Sequence, residues 1–328
     1  MNITMLITFI RQSIRLSSTL LLGSTGEIIT EKSGNLNLGT PGIMAGGAIS
    51  GIVGAYFYTA SGVAFNPIIS VLITLLCGII GSLLVTLIYC FLTITLKTNQ
   101  NVTGLALTTF GVGISNFIGS IINQQMGGTG VAAFPEIGKA YRASLPFAEK
   151  LGFIGQIFFS YGFMTYLAII IAVVAAWVIA KTRIGLNLRA VGENPATADA
   201  AGINVNRYKY FATCIGGVIS GLGGLYYVMD FAAANWQNNI LAQFGWLSVA
   251  LVIFAVWRPN LAIIGSLIFG ALYIVGPFLL QLSTKEQELL KILPYVVTIV
   301  VLVIISMRDK KENQPPASLG LSYFREER

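Results

Sequence analysis

Residues 67–96 read PIISVLITLLCGIIGSLLVTLIYCFLTITL, a run with no charged side chain. A helix needs about 20 apolar residues to cross the hydrocarbon core of a bilayer. This stretch is therefore long enough to span. It has company: 101–122, 151–180, 210–229, 231–257, 259–284 and 292–307 also carry no charge. A chain that repeats such runs has lipid as its main solvent. The fold class expected is an all-α integral membrane protein, a polytopic helical bundle of eight to ten transmembrane helices.

Composition agrees. Of 328 residues, 55% are hydrophobic and 10% charged, with a mean hydropathy of +0.77. A soluble domain carries roughly 25% charge. The 20 Lys and Arg and 13 Asp and Glu give +7, but they cluster at the ends of apolar runs or between them, apart from Arg11 and Arg15. That distribution is a topology signal and not a nucleic-acid patch. Cys77, Cys90 and Cys214 lie singly in apolar runs, without metal or disulfide spacing. The chain has no histidine, so the commonest general base and metal ligand is missing. No cleavable signal stands out, because the arginines follow the first apolar patch.

Loop charges set the expected topology. Arg308, Lys310 and Lys311 follow the last run, so residues 308–328 read as a cytoplasmic tail behind a single transmembrane domain, 1–307. Counting back puts 181–209 inside, and its Lys181, Arg183, Arg189, Arg207 and Lys209 outnumber Glu193 and Asp199. Nine apolar blocks would put the N-terminus outside, whereas Arg11 and Arg15 favour inside. Parity is restored if the glycine-rich block Asn35–Tyr58 is a broken or re-entrant segment, as membrane proteins allow where backbone is covered by protein or water. The pairs Gly42/Gly46, Gly47/Gly51 and Gly217/Gly221 each line one helix face and favour close helix approach.

The segment 181–209, KTRIGLNLRAVGENPATADAAGINVNRYK, carries the functional signal. Asn194 is placed to cap a helix and Pro195 suits its first position. Alanines 196, 198, 200 and 201 favour helix, and Gly202 ends it. The product is a short, small-sided helix between two spans. Such a helix can dock into a groove on another protein, and it has little bulk to bury in its own chain.

Gly185, Asn187, Leu188, Arg189, Ala190, Val191, Gly192, Glu193, Asn194, Pro195, Ala198, Gly202 and Ile203 match a pattern. It resembles the G-x-N-L-R-A-V-G-E-N-P segment of the permeases of ATP-binding-cassette (ABC) importers for ribose, branched-chain amino acids and nucleosides. Thr197 and Asp199 flank Ala198 where paired small residues are more usual. Glu31-Lys32-Ser33-Gly34-Asn35-Leu36-Asn37-Leu38-Gly39 is similar to a segment of the nucleoside and simple-sugar branch. Pro316-Ala317-Ser318-Leu319-Gly320, with Tyr323 and Arg325, resembles that branch's terminal signature. Thr40-Pro41 stands where many relatives have glutamate before glycine.

The resemblance implies a permease in the cytoplasmic membrane that works with partners. These are an ATP-binding subunit holding ATP and Mg, a second permease (a copy or a different chain) and an extracellular substrate-binding lipoprotein. No cofactor is expected in this chain, which has no G-x-x-x-x-G-K-[ST] phosphate loop. Arg189, Gly192, Glu193, Asn194, Pro195, Ala198 and Gly202 are the expected coupling residues. Candidate pathway residues are Asn35, Asn37, Gly39, Gly42, Gly46 and Asn116, with Asn123, Gln124, Gln125, Tyr226 and Tyr227 as further polar or stacking groups.

Glu27, Glu31 and Asp230 fall near span ends, which leaves span interiors without carboxylates. That favours a neutral substrate over a charged one. It also argues against the competing class, a stand-alone carrier driven by an ion gradient, which commonly uses buried carboxylates. An intramembrane enzyme finds neither histidine nor paired carboxylates within the spans.

Overall fold

A computed structural model describes residues 3–127, 132–144, 146, 152–278, 282–308 and 314–325. The long helices begin with α1 (Ile3–Glu31), α2 (Thr40–Ala60), α3 (Pro67–Cys90) and α4 (Gln100–Gln125). Two short helices follow, α5 (Pro135–Tyr141) and α6 (Gly152–Phe158), then α7 (Phe163–Lys181), α8 (Arg183–Glu193) and α9 (Pro195–Ala200). The chain continues through α10 (Val205–Tyr226), α11 (Ile240–Phe254), α12 (Pro259–Phe278), α13 (Thr284–Leu290) and α14 (Leu293–Arg308). Wider π-turns at Phe91–Thr95 and Tyr227–Phe231 extend α3 and α10.

Local chemistry starts these helices where the uncharged runs begin. Asn66 accepts from the amides of Ile68 and Ile69, with Pro67 in the first turn of α3. Asn99 accepts from Val102 at the start of α4. Ser283 and Glu286 form a reciprocal capping box on α13.

Seven helical stretches are long and apolar enough to cross a membrane, among them α2, α3, α4, α7, α10 and α12. Two further helices complete the bundle. α1 packs along α10, α12, α11 and α7, and α11 is a 15-residue apolar helix against α1 and α2. Nine helical stretches thus make up the bundle among the described residues, and seven of them are long and apolar enough to cross a membrane, against the eight to ten spans expected. α2 and α10 form the centre, with 67% and 72% of their most apolar windows buried, against 22% in α3. The outer face of α3 (Ile68, Leu72, Leu76, Ile80 and Leu84) is left exposed, as a lipid-facing or partner-facing surface would be.

Glycine lets the central helices touch. A side-chain carbon on Gly47 would stand 2.7 Å from the Gly221 carbonyl, and one on Gly111 2.7 Å from Gly42. Gly217 and Gly221 both face α3, at Thr86 and Ser82. The fourfold spacing therefore marks packing faces. The expected break does not occur in the glycine run: α2 is one unbroken helix from Thr40 to Ala60. Irregular backbone lies just before it, at residues 32–39.

The parity conflict resolves at the other end of α1. Arg15 donates through Nε and NH2 to Asp230 Oδ1, at 3.0 and 2.7 Å, and to the Asp230 carbonyl at 2.6 Å. Arg142 adds a bond to the same carbonyl at 2.6 Å. α10 and its π-turn run 27 residues, about 40 Å at 1.5 Å per residue, so Asp230 lies at the end away from Lys209. At the far end of α1, Glu31 accepts from the Trp257 indole. The first helix therefore starts at the end of the bundle away from the 181–209 segment. Arg15 is an ion-pair partner, which is why its charge misleads as a topology signal.

Asp230 and Glu27 are both 1% exposed. These carboxylates lie near helix ends, as expected, and are nonetheless buried, as is Glu31. Asp230 is met by Arg15, and the Thr40 hydroxyl donates to Glu27. Of the tail's charges, Lys310 and Lys311 lie outside the described residues.

Candidate functional site

The segment between α7 and α10 folds as two short helices in series. Thr182 accepts from the Gly185 amide at 3.1 Å and starts α8. Asn194 has an extended backbone (φ −149°, ψ 94°), which ends α8, and its side chain accepts from the Thr197 amide at 3.0 Å to start α9. Pro195 takes the first position, where its missing N–H leaves no bond unmade. Gly202, at φ +83°, reverses the chain, and Asn204 caps α10 on the Arg207 amide.

The pair presents a mixed face. Arg189, Glu193, Asn194, Ala196, Thr197 and Gly202 are exposed, and Pro195 is half-buried. Gly192 and Ala198 are buried. Ala198 packs with Val191 and Val205 in a small core of their own, bordered by Ile203, Tyr208 and Tyr323. The expectation that this helix has little to bury in its own chain is thus corrected. One alanine face is inside, and the surface open to a partner is the α8–α9 junction.

Gly192 seats the junction on the bundle. Its would-be side-chain carbon falls on the Lys32 carbonyl, so only glycine fits there. Residues 32–39 beneath it are buried or half-buried without being helical, and their polar backbone is satisfied from several sides. Gln100 Oε1 accepts from the Leu36 amide at 2.7 Å, the Tyr89 hydroxyl donates to the Leu36 carbonyl, and Thr108 donates to the Leu38 carbonyl at 2.7 Å. Gly34, at φ +80°, supplies the reversal. Burial pushes the Lys32 ammonium below its usual range; nearby Glu193 opposes that shift, while Arg258 and Arg189 add to it.

The chain's end closes over the same place. The Ser318 amide and hydroxyl both donate to the Gly192 carbonyl, at 3.0 and 2.6 Å. Tyr323 donates to Asp199 Oδ2 at 2.8 Å, and the Arg325 guanidinium pairs with it at 3.2 Å. Lys97 stands over the Phe324 ring, 4.3 Å from its centroid. The three stretches that carry the family resemblance, about 120 to 150 residues apart in sequence, thus meet at one end of the bundle. Ser318 is the contact that sequence reasoning missed. Its tail signature was visible, but nothing in a single sequence pairs it with Gly192.

Of the candidate pathway residues, five lie together within positions 35–46 and Asn116 lies apart from them. Asn35 donates to Thr213 at 3.1 Å, and Asn37 accepts from the Gly39 amide at 3.0 Å. Gly39 and Gly42 meet Leu107 of α4, and Gly46 meets Val85 of α3. All five are buried. Asn116 lies at the opposite end, donating to Asn239 Oδ1 at 2.7 Å. Close to it, Asn123, Ser120, Trp236, Gln237 and Asn238 surround a small cleft of about 320 Å³. Tyr226 is fully buried and shares a 3.0 Å hydrogen bond with Thr165, while Tyr227 stacks on Phe231 with centroids 5.3 Å apart. Both tyrosines are packing groups here.

The fold is that of a multi-pass helical bundle with a capped helix pair seated at one end. The particular family follows from comparison. Residues 9–302 match the family described as "Branched-chain amino acid transport system / permease component", and the chain belongs to it. Among curated proteins, it is 33% identical over 294 residues to the nucleoside ABC transporter permease protein NupC of Lactococcus lactis, covering 88% of this chain and 89% of that one. It is 31% identical over 290 residues to the guanosine ABC transporter permease protein NupQ of Bacillus subtilis, covering 87% and 88%. TsgC13 of Haloferax volcanii, named for a proposed role in glucose ABC transport, is 33% identical over 261 residues, covering 79% and 74%.

Proposed function

We propose that this chain is the permease subunit of an ABC importer for a neutral, hydrogen-bonding solute, a nucleoside or a simple sugar. ATP and Mg are held by a separate subunit that docks on the α8–α9 junction from the cytoplasm. The observation that carries this reading is the convergence of residues 32–39, the α8–α9 pair and the 316–325 tail on one end of the bundle. Gly192 rests directly on the segment that joins α1 to α2. Displacement of the junction therefore acts on the two helices that lead into the centre of the bundle, which is the coupling between sites an ATP-driven permease needs.

The opposite end suits an incoming neutral solute. The cleft between Asn123 and Trp236 offers amides, a hydroxyl and an indole and no charged group. A second permease would complete the path, and an external lipoprotein would deliver the solute.

Two alanines two positions apart test the docking face. Ala196 is exposed and Ala198 is 3% exposed. In the complex isolated from native membranes, Ala196→Trp should abolish substrate-stimulated ATP turnover at an unchanged melting temperature. Ala198→Trp should instead lower the melting temperature of the subunit, because it overfills the core with Val191 and Val205. Normal turnover with Trp at 196 would remove the junction as the docking face. Uptake that survives ATP depletion and stops with an uncoupler would favour the ion-driven carrier.

A further inference from the structure

α7 and α10 both pack on α1, and α8 packs on both of them, yet the two long helices stand apart from each other. The gap is an apolar groove of about 900 Å³. Its floor includes Ile29, Ile179 and Ala212, and its rims carry the exposed side chains of Val174, Phe211 and Ile215. At the end nearest α8 the groove is closed by the turn at Gly202–Asn204 and by Asn187, whose amide donates to the Tyr208 hydroxyl at 2.8 Å. There stands Arg207, exposed, its guanidinium 5.6 Å from the centroid of the Phe211 ring. No carboxylate lines the groove. The exposed Lys181 and Arg183 follow at the adjoining end of α7.

The groove is open at its rims, so in a membrane it is filled from the bilayer or by a partner. The occupant must be apolar along the groove and anionic at one end only. A second copy of this chain fits poorly: its exposed α3 row of Ile68, Leu72 and Leu76 has no group to meet Arg207. Hydrocarbon tails with a phosphate at one end match both features, since guanidinium pairs with phosphate through two parallel hydrogen bonds. Basic pockets between transmembrane helices bind anionic headgroups in this way.

We propose that the groove between α7 and α10 is a binding site for an anionic phospholipid. The tails lie along Ile179, Ala212 and Ile215, and the phosphate rests on Arg207 in the leaflet on the α8–α9 side. Native mass spectrometry of the purified chain tests this, with phosphatidylglycerol and phosphatidylcholine added at equal concentration. Phosphatidylglycerol should be retained in preference, one molecule per chain, and Arg207→Gln should lower that retention about fivefold while lowering that of phosphatidylcholine by less, because the choline cation offsets its phosphate. Ile215→Trp, at an exposed position, fills the groove and should lower retention of both lipids at an unchanged melting temperature. Equal phosphatidylglycerol retention by the parent chain and Arg207→Gln would overturn the proposal. So would a Trp at 215 that splits a dimer of this chain while leaving lipid retention as it was.

Discussion

Arg15 and Asp230 are 215 positions apart and form the best-defined polar contact at the end of the bundle away from α8 and α9. Asp230 is 1% exposed and the Arg15 side chain 16%, so each charge depends on the other. Removing one partner of a buried pair costs about 3–5 kcal/mol, because the remaining charge is left uncompensated. Asp230→Ala should fall near the lower figure, about 3 kcal/mol, because Arg15 keeps some solvent and a bond to the residue-230 carbonyl. The double replacement Arg15→Met with Asp230→Leu should recover most of that loss, since an apolar pair of similar volume is often neutral. Thermal melting of the purified chain in one detergent separates the cases; a double variant as unstable as Asp230→Ala would show that the loss comes from packing and not from charge. No single sequence announces this pair. Arg15 looks like a topology marker because it interrupts an apolar run, and its counter-ion belongs to a helix two hundred residues later.

At the scale of elements, helix caps and small-residue faces were the legible features. Asn194, Pro195 and Gly202 do what their chemistry dictates, and the glycine pairs of α2 and α10 mark true contacts between helices. What stayed hidden was the third dimension of those elements. The alanines of α9 are equivalent in sequence, yet Ala198 is buried and Ala196 exposed, because Val191 and Val205 approach from one side only. The tail likewise read as an appendage after the last span, while Ser318, Tyr323 and Arg325 tie it to Gly192 and Asp199. A chain ending before residue 314 should lose those bonds, and the small core under α9 should lose Tyr323 with them. Limited proteolysis should then cut within residues 194–204 at least several-fold faster than in the full chain, with the spans left protected. Equal cleavage rates would mean that the tail contributes nothing to the order of α9.

For the whole molecule, the many-helix membrane architecture followed from the apolar runs alone, and the direction of the first helix in the bundle did not. Positive charges near a span end orient a helix when they lie in short loops facing water. Arg15 instead sits against Asp230 and the Phe231 ring, 5.7 Å from its centroid, so its charge is spent within the fold. The start of α1 and the described tail lie at opposite ends of the bundle. α1 begins beside Asp230, and residues 318–325 lie against Gly192, Asp199 and Lys97. The basic excess of residues 181–209 favours the cytoplasm for the second end, an expectation that labelling tests. A single cysteine added before residue 3, in a chain whose own three cysteines are replaced by serine or alanine, should react with a membrane-impermeant maleimide applied to intact cells. One added after residue 325 should react only once the cells are opened. Labelling of both or neither in intact cells would require an even number of crossings, and α11, at 15 residues the shortest of the nine, would then be the helix that turns back before reaching the far side.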